Sequence, residues 1–196
     1  MAEQCGKNQR QKIILASGSP RRRELLGAMG YEFAVLAPDV DENVEGRAGD
    51  IVGVLAERKG RAAAGQCHDG EIVIAADTLV SLDERPLGKP KDDGEAAAML
   101  RALSGRSHDV YTGLCVIDTA AGTTSVDVER TRVTFRPLSD EEIAVYVATG
   151  EPRDKAGAYA IQGGAAAFVS GYDGSYNNVI GLPTEKLAER LNRIMA

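Results

Sequence analysis

The sequence predicts an α/β or mixed α+β fold, on three observations. Short apolar runs alternate with helix-spaced segments through the first half of the chain. The run Ile72-Val73-Ile74-Ala75-Ala76 is unbroken and rich in β-branched residues, which suits a strand buried on both faces. The second half adds the pattern of a hairpin and a glycine-rich stretch over residues 157–181.

Taken in order, Ile13-Ile14-Leu15-Ala16 reads as a first strand that ends at Ser17-Gly18-Ser19-Pro20. Ser19 is placed to cap a helix and Pro20 to open it with φ preset, and Gly30 suits the position just past its end. A second strand follows over residues 33–37. Residues 39–49 are polar and acidic and read as a loop, after which Asp50 caps a helix with Ile51, Val54 and Leu55 on one face and Arg58 and Lys59 on the other. The buried strand 72–76 ends at Asp77-Thr78, and Leu79-Val80-Ser81-Leu82 leads to a turn at Asp83-Glu84. Residues 95–103 space Ala96, Met99, Leu100 and Leu103 at helical intervals. Residues 109–118 and 125–135 form the expected hairpin around Gly122, Ser139-Asp140-Glu141-Glu142 has the capping-box form, and a last helix carries Leu187, Leu191 and Ile194.

With 196 residues the chain is long enough for one domain, or two closely packed lobes, to bury a core without staples. Residues 12–196 are expected to form that domain, after a flexible extension over residues 1–11. The apolar runs fall far short of the roughly 20 residues of a membrane span, and the first twelve residues lack a signal-peptide core. Cys5, Cys67 and Cys115 are odd in number and in no C-x-x-C pair, which points to a reducing cytoplasm rather than a disulfide framework or zinc site. Lys and Arg total 23 against 29 Asp and Glu, a net charge of −6 that argues against a nucleic-acid polymer as partner. Yet Arg21-Arg22-Arg23 concentrates positive charge beside the first strand.

That run, with Ser17, Gly18 and Ser19, sets small residues, backbone donors and guanidinium groups at a helix N-terminus, where phosphate binds well. An ordinary capped helix with a solvated basic face presents the same string, and the pattern of a Walker loop is absent. Asp77, at the end of a buried strand, is placed either to bind Mg²⁺ and orient water or to cap a turn through Thr78. Glu42, with Asp39 and Asp41, offers hard oxygen ligands in a loop that is otherwise simply solvated. Lys59 and Lys89 can each neutralise a phosphate or serve as surface lysines. His68 and His108 lie in no metal-ligand spacing and belong to no nucleophile elbow. Gln162, the long amide in Ala158-Tyr159-Ala160-Ile161-Gln162-Gly163, can read a pyrimidine edge or satisfy buried backbone groups.

The ensemble resembles the Maf family of nucleoside triphosphate pyrophosphatases, the septum formation proteins. The resemblance is carried by Leu15-Ala16-Ser17-Gly18-Ser19-Pro20-Arg21-Arg22 with Glu24-Leu25-Leu26, by Ala76-Asp77-Thr78 and by Gly88-Lys89-Pro90. It continues through Met99-Leu100-Arg101, Leu103-Ser104-Gly105, His108, Asp154-Lys155-Ala156-Gly157-Ala158-Tyr159, Ile161-Gln162-Gly163 and Gly181-Leu182-Pro183. It implies a central twisted sheet flanked by helices, two lobes around a cleft, as in the inosine-triphosphatase-like fold. It also implies hydrolysis of a nucleoside triphosphate to monophosphate and pyrophosphate with Mg²⁺ or Mn²⁺, and the A-Y-x-I-Q-G form is similar to the dTTP/UTP branch.

On the same resemblance Asp77 is the catalytic base, Lys59 and Lys89 are catalytic cations, and Arg21, Thr78 and Gln162 govern substrate choice. Ser17, Ser19, Arg21 and Arg22 would hold the triphosphate, and Glu42 and Asp77 the metal. Ala160 stands where the family commonly has glycine, adding a methyl group near the base pocket. An isolated carboxylate of pKa near ~4 is a weak base, so lowering of the attacking water's pKa by the metal is favoured over proton abstraction by Asp77 alone. The partner is a small nucleotide, with no membrane and no nucleic-acid polymer, and the family suggests a homodimer. Two rivals are a 7-methyl-GTP or other non-canonical nucleotide pyrophosphatase and a non-catalytic nucleotide-binding regulator of cell division.

Overall fold

A computed structural model describes residues 11–196, so the expected N-terminal extension and Cys5 fall outside it, apart from Gln11. Strands β1 (Lys12–Leu15), β2 (Phe33–Val35), β3 (Glu71–Leu82), β4 (Arg85–Leu87), β5 (Ser107–Asp118), β6 (Thr123–Phe135) and β7 (Val169–Asp173) make one mixed sheet. Its order is β2-β1-β3-β5-β6-β7, with β4 paired to the far end of β3. β1 runs parallel to β2 and β3, and the other pairings are antiparallel. Helices α1 (Pro20–Ala28), α2 (Ala48–Ala64), α3 (Asp93–Leu103), α4 (Asp140–Ala148), α5 (Tyr176–Ile180) and α6 (Thr184–Met195) complete the fold. None of the described helices is long and apolar enough to cross a membrane.

The alternation of side chains along β3 divides the core between the two faces of the sheet. Val73 and Ala75 pack under α2 with Ala56, Ala63 and Cys115. Ile72, Ile74 and Ala76 face the other way, onto Leu26 of α1 and Leu187 and Leu191 of α6. Further along that second face, Val80 and Leu82 enter a separate cluster with Leu100, Ile143 and the rings of Phe135 and Tyr159. Thr78 falls between these two clusters, and this boundary separates the two expected lobes.

Helix α2 lies almost directly on β5. A Cβ at Gly113 would stand 2.1 Å from the Val52 carbonyl oxygen, and one at Gly60 would stand 2.9 Å from Cys115 Sγ. Glycine at 113 is therefore required by the approach of a helix backbone to a strand, not by φ.

Several sequence expectations change in detail. β3 runs unbroken for 12 residues, so Asp77 lies within a strand rather than at its end. α2 starts at Ala48 behind Arg47, leaving Asp50 in its first turn, and Val54 is exposed while Val52 is buried. Ser19 precedes α1 with Pro20 at its first turn, but its side chain makes no capping bond. The turn at Asp83-Glu84 has φ of 51° and 63°, the signature of a two-residue hairpin loop, and it opens into β4, which the sequence did not signal. The glycine-rich stretch likewise conceals β7 and α5. By contrast, the hairpin of β5 and β6, the capping box at Ser139 and the apolar face of α6 lie where the patterns put them.

Candidate active site

β1 pairs with β3 only as far as Leu15 opposite Ile74, and β4 takes over that edge from Val80. Between these partners the edge of β3 is open, and Asp77 and Thr78 sit in the gap. The gap is the floor of a cleft of about 680 Å³, walled by the Ser17–Arg22 turn, the loop bearing Glu42, one side of α2, and the segments around Lys89 and Gln162. All ten site residues expected from the sequence line it: Ser17, Ser19, Arg21, Arg22, Glu42, Lys59, Asp77, Thr78, Lys89 and Gln162. Position beyond the carboxyl end of a parallel strand is retained, since the strand that ends there is β1.

The charges converge on Lys59. Its ammonium, with the side chain only 14% exposed, lies 2.6 Å from Asp77 Oδ1 and 2.6 Å from Glu42 Oε1. The Lys59 hydrogen bond holds the Glu42 carboxyl below the usual carboxylate range, against the opposing effect of partial burial. Arg21 and Lys89 also face the cleft, and neither has an ion-pair partner among the described residues. No cluster of three or more carboxylate, imidazole or thiol groups suited to a metal occurs among the described residues. The donor set is therefore two carboxylates brought together by one lysine. That set fits the way Mg²⁺ is commonly held, by one or two carboxylates completed by substrate phosphates.

Arg22 ties the Ser17 turn to β3 and to the Gly181 segment. Its Nε donates to the Gly181 carbonyl at 2.8 Å, Nη1 to Ser17 Oγ at 3.1 Å and Nη2 to Thr78 Oγ1 at 3.1 Å. Burial lowers its pKa, and the Asp77 charge opposes that shift. Ser17 Oγ also accepts from the backbone N–H of Ser19 at 3.3 Å. With both lone pairs engaged, the Ser17 hydroxyl has only its proton to offer the cleft, which suits an anionic oxygen.

The opposite wall is built on strained backbone. Gly157 takes φ 67° and donates its N–H to the Gly88 carbonyl at 3.0 Å, linking the Lys89 segment to the Gln162 segment. A Cβ there would press on Val80 at 2.8–3.0 Å. Ala158 is buried at φ 60°, a conformation that costs on the order of 1–3 kcal/mol outside glycine and recurs at ligand clamps. Tyr159 is anchored below by His108, whose Nε2 lies 2.9 Å from the phenol oxygen. The Ala160 N–H is satisfied by the Tyr146 hydroxyl at 3.1 Å. Gln162 is exposed at the cleft and makes no hydrogen bond among the described residues, so its amide is not satisfying buried backbone. Lys155, part of the Asp154–Tyr159 run that carries the family resemblance but given no role there, also lines the cleft, and it is tied to the Glu151 carbonyl and to Asp154. Its place in the cleft follows from the turn geometry of residues 151–158, which composition does not encode.

A family model described as "Maf-like protein" matches residues 12–194. The chain is 51% identical over 185 residues to a "dTTP/UTP pyrophosphatase" of Pelotomaculum thermopropionicum, covering 93% of this chain and 96% of the relative. It is also 51% identical over 181 residues to a protein of the same description from Desulforamulus reducens, covering 91% and 94%. Among solved structures, a HAM1 protein from Coxiella burnetii matches with a TM-score of 0.50 at 17% identity, covering 93% of this chain and 98% of that one, a likeness of fold alone.

Proposed function

The chain belongs to the Maf family, and from that premise we propose that it hydrolyses dTTP and UTP in the cytoplasm, releasing pyrophosphate and the nucleoside monophosphate. The carrying observation is the meeting of Asp77 and Glu42 on Lys59 in a cleft whose rim presents Arg21 and Lys89. Relatives about half identical over nearly their whole length are described by the same activity.

In this reading the triphosphate lies along the Ser17–Arg22 turn. Ser17 donates its free proton to a phosphate oxygen, the first turn of α1 adds backbone donors, and Arg21 and Lys89 add charge. Asp77 orients a water in line with the α-phosphorus. An oxygen–phosphorus bond forms there as the bond to the β-phosphate bridging oxygen breaks; the water's proton passes to Asp77 and the departing pyrophosphate takes the electron pair. Lys59, fixed between two carboxylates, balances charge gathering on the phosphoryl oxygens. Glu42 and Asp77 would hold a divalent cation, Mg²⁺ or Mn²⁺, which supplies charge neutralisation and a more acidic water. Gln162 reaches the base from the glycine-rich wall.

The test is pyrophosphate release from UTP, dTTP, CTP, ATP, GTP and 7-methyl-GTP, with and without Mg²⁺. UTP and dTTP should lead by about tenfold or more, as one well-placed polar contact allows. Preference for 7-methyl-GTP would assign the chain to non-canonical nucleotides, and no release from any of them would leave a nucleotide-binding regulator.

A further inference from the structure

An amide such as Gln162 can turn to match either uracil or cytosine, so it does not by itself separate UTP from CTP. The hydroxyl of Thr78 is not free in that way. A chain of buried hydrogen bonds behind it fixes which group donates and which accepts at every link.

One backbone carbonyl, that of Asn178, can only accept and so sets the direction at Thr112 and Thr78, while the Asn178 side chain is held separately. The Asn178 amide nitrogen donates to the Val110 carbonyl at 3.1 Å and to Thr131 Oγ1 at 2.9 Å, and Thr131 donates onward to the Ser175 carbonyl at 2.9 Å. Thr112 donates its one proton to the Asn178 carbonyl at 2.9 Å. Thr112 Oγ1 lies 2.9 Å from Thr78 Oγ1 and has no second proton to give, so Thr78 must be the donor in that pair. Thr78 also accepts from Arg22 Nη2. Its proton is thereby turned away from the cleft and one lone pair is occupied, leaving one lone pair for a ligand. Thr112, Thr131 and Asn178 are each 0% exposed, and none of the three lines the cleft.

We propose that Thr112, held by Asn178, is a positioning residue for base selectivity: it makes Thr78 an obligate acceptor, which selects a pyrimidine whose edge carries an imide N–H. Uracil and thymine present that donor, whereas cytosine presents an unprotonated ring nitrogen at the same place. The inference rests on the proposed dTTP/UTP pyrophosphatase reading and adds the reason that CTP is refused.

The experiment compares kcat/KM for UTP and CTP in the wild type, Thr112→Val and Thr112→Ser. Valine keeps the shape but removes the acceptor, freeing the Thr78 proton to turn into the cleft. The UTP-to-CTP ratio should fall about tenfold, the scale of one hydrogen bond, and serine should restore it. An unchanged ratio in a folded Thr112→Val protein overturns the proposal, whereas failure of the wild type to hydrolyse UTP overturns the underlying function instead. If Thr112→Val does not fold, Thr78→Val, which deletes the acceptor and leaves Thr112 bonded to Asn178, serves in its place. Loss of the Arg22 contact weakens both substrates alike, so kcat/KM for UTP should fall about tenfold further than that for CTP, and equal losses refute the idea. A 3′-deoxy-UTP arm separates the base from the sugar: if Thr112→Val relaxed discrimination against that analogue and not against CTP, the donor would be a sugar hydroxyl and the imide assignment would be wrong.

Discussion

The substitution Gly113→Ala couples the packing of α2 to the chemistry of the cleft. The added Cβ would stand 2.1 Å from the Val52 carbonyl oxygen, 2.4 Å from its carbon and 2.9 Å from the Gly53 nitrogen, all of them backbone atoms. Ordinary van der Waals contact begins at 3.4 Å, so α2 must retreat by 3.4 − 2.1 = 1.3 Å along that line. Lys59 is carried by the same helix two turns further on and moves with it. Its bonds to Asp77 and Glu42, each 2.6 Å, would be strained as the helix withdraws. Overpacking of this kind costs about 1–3 kcal/mol in stability, and a misplacement near 1 Å in a catalytic group costs on the order of 10²-fold in rate. Urea denaturation and pyrophosphate release on the same preparation read both effects. Gly53→Ala is the control, because its Cβ meets only side chains, Val128 at 3.4 Å and Val126 at 3.9 Å. Wild-type stability and turnover in Gly113→Ala would refute the rigid seating of α2 and its link to Lys59.

Asp77→Asn should lower turnover by at least about 10²-fold with an unchanged circular dichroism spectrum, and full activity would remove Asp77 from the chemistry. Gln162→Ala should raise KM for dTTP and UTP more than for poorer substrates; equal losses across all bases would contradict base reading. Chelation with EDTA should abolish pyrophosphate release and added Mg²⁺ restore it, while activity persisting in EDTA would exclude the cation role given to Glu42 and Asp77. Burial lowers the His108 pKa from 6.5 to about 4, so the unfolded chain binds the proton more readily between those values. Stability from this group is then full above pH 6.5 and is lost as pH falls towards 4, by up to about 3 kcal/mol. Urea midpoints at pH 7 and pH 5 should show that slope, and His108→Gln should flatten it.

The parts of the molecule legible in the sequence were those whose signal is local. The apolar run 72–76, the capping box at Ser139 and the helical spacing of Leu187 and Leu191 each encode their own element, and each is found. Asp77 was misplaced relative to its strand because the sequence shows a polar residue after an apolar run but not that β1 stops at Leu15 while β4 resumes the edge. β7 and α5 were hidden because glycine and small residues carry neither period, and their pairing with β6 and packing near α1 are long-range. The ten site residues came from short motifs and from the family resemblance, and the cleft gathers all of them. Thr112 and Asn178 could not be read in this way. A threonine in a strand and an asparagine in a short helix acquire meaning only when folding brings Val110, Thr131 and Ser175 around them.

The bond from Arg22 to the Gly181 carbonyl spans 159 positions of sequence. During synthesis the residues around positions 17–22 emerge early, yet the acceptor that seats Arg22 arrives only when most of the chain has been made. A nascent or truncated polypeptide can therefore present the Ser17–Arg22 turn and even Asp77 without aligning them. A chain that stops before residue 181 lacks one of the three bonds that seat the Arg22 guanidinium against Ser17 and Thr78.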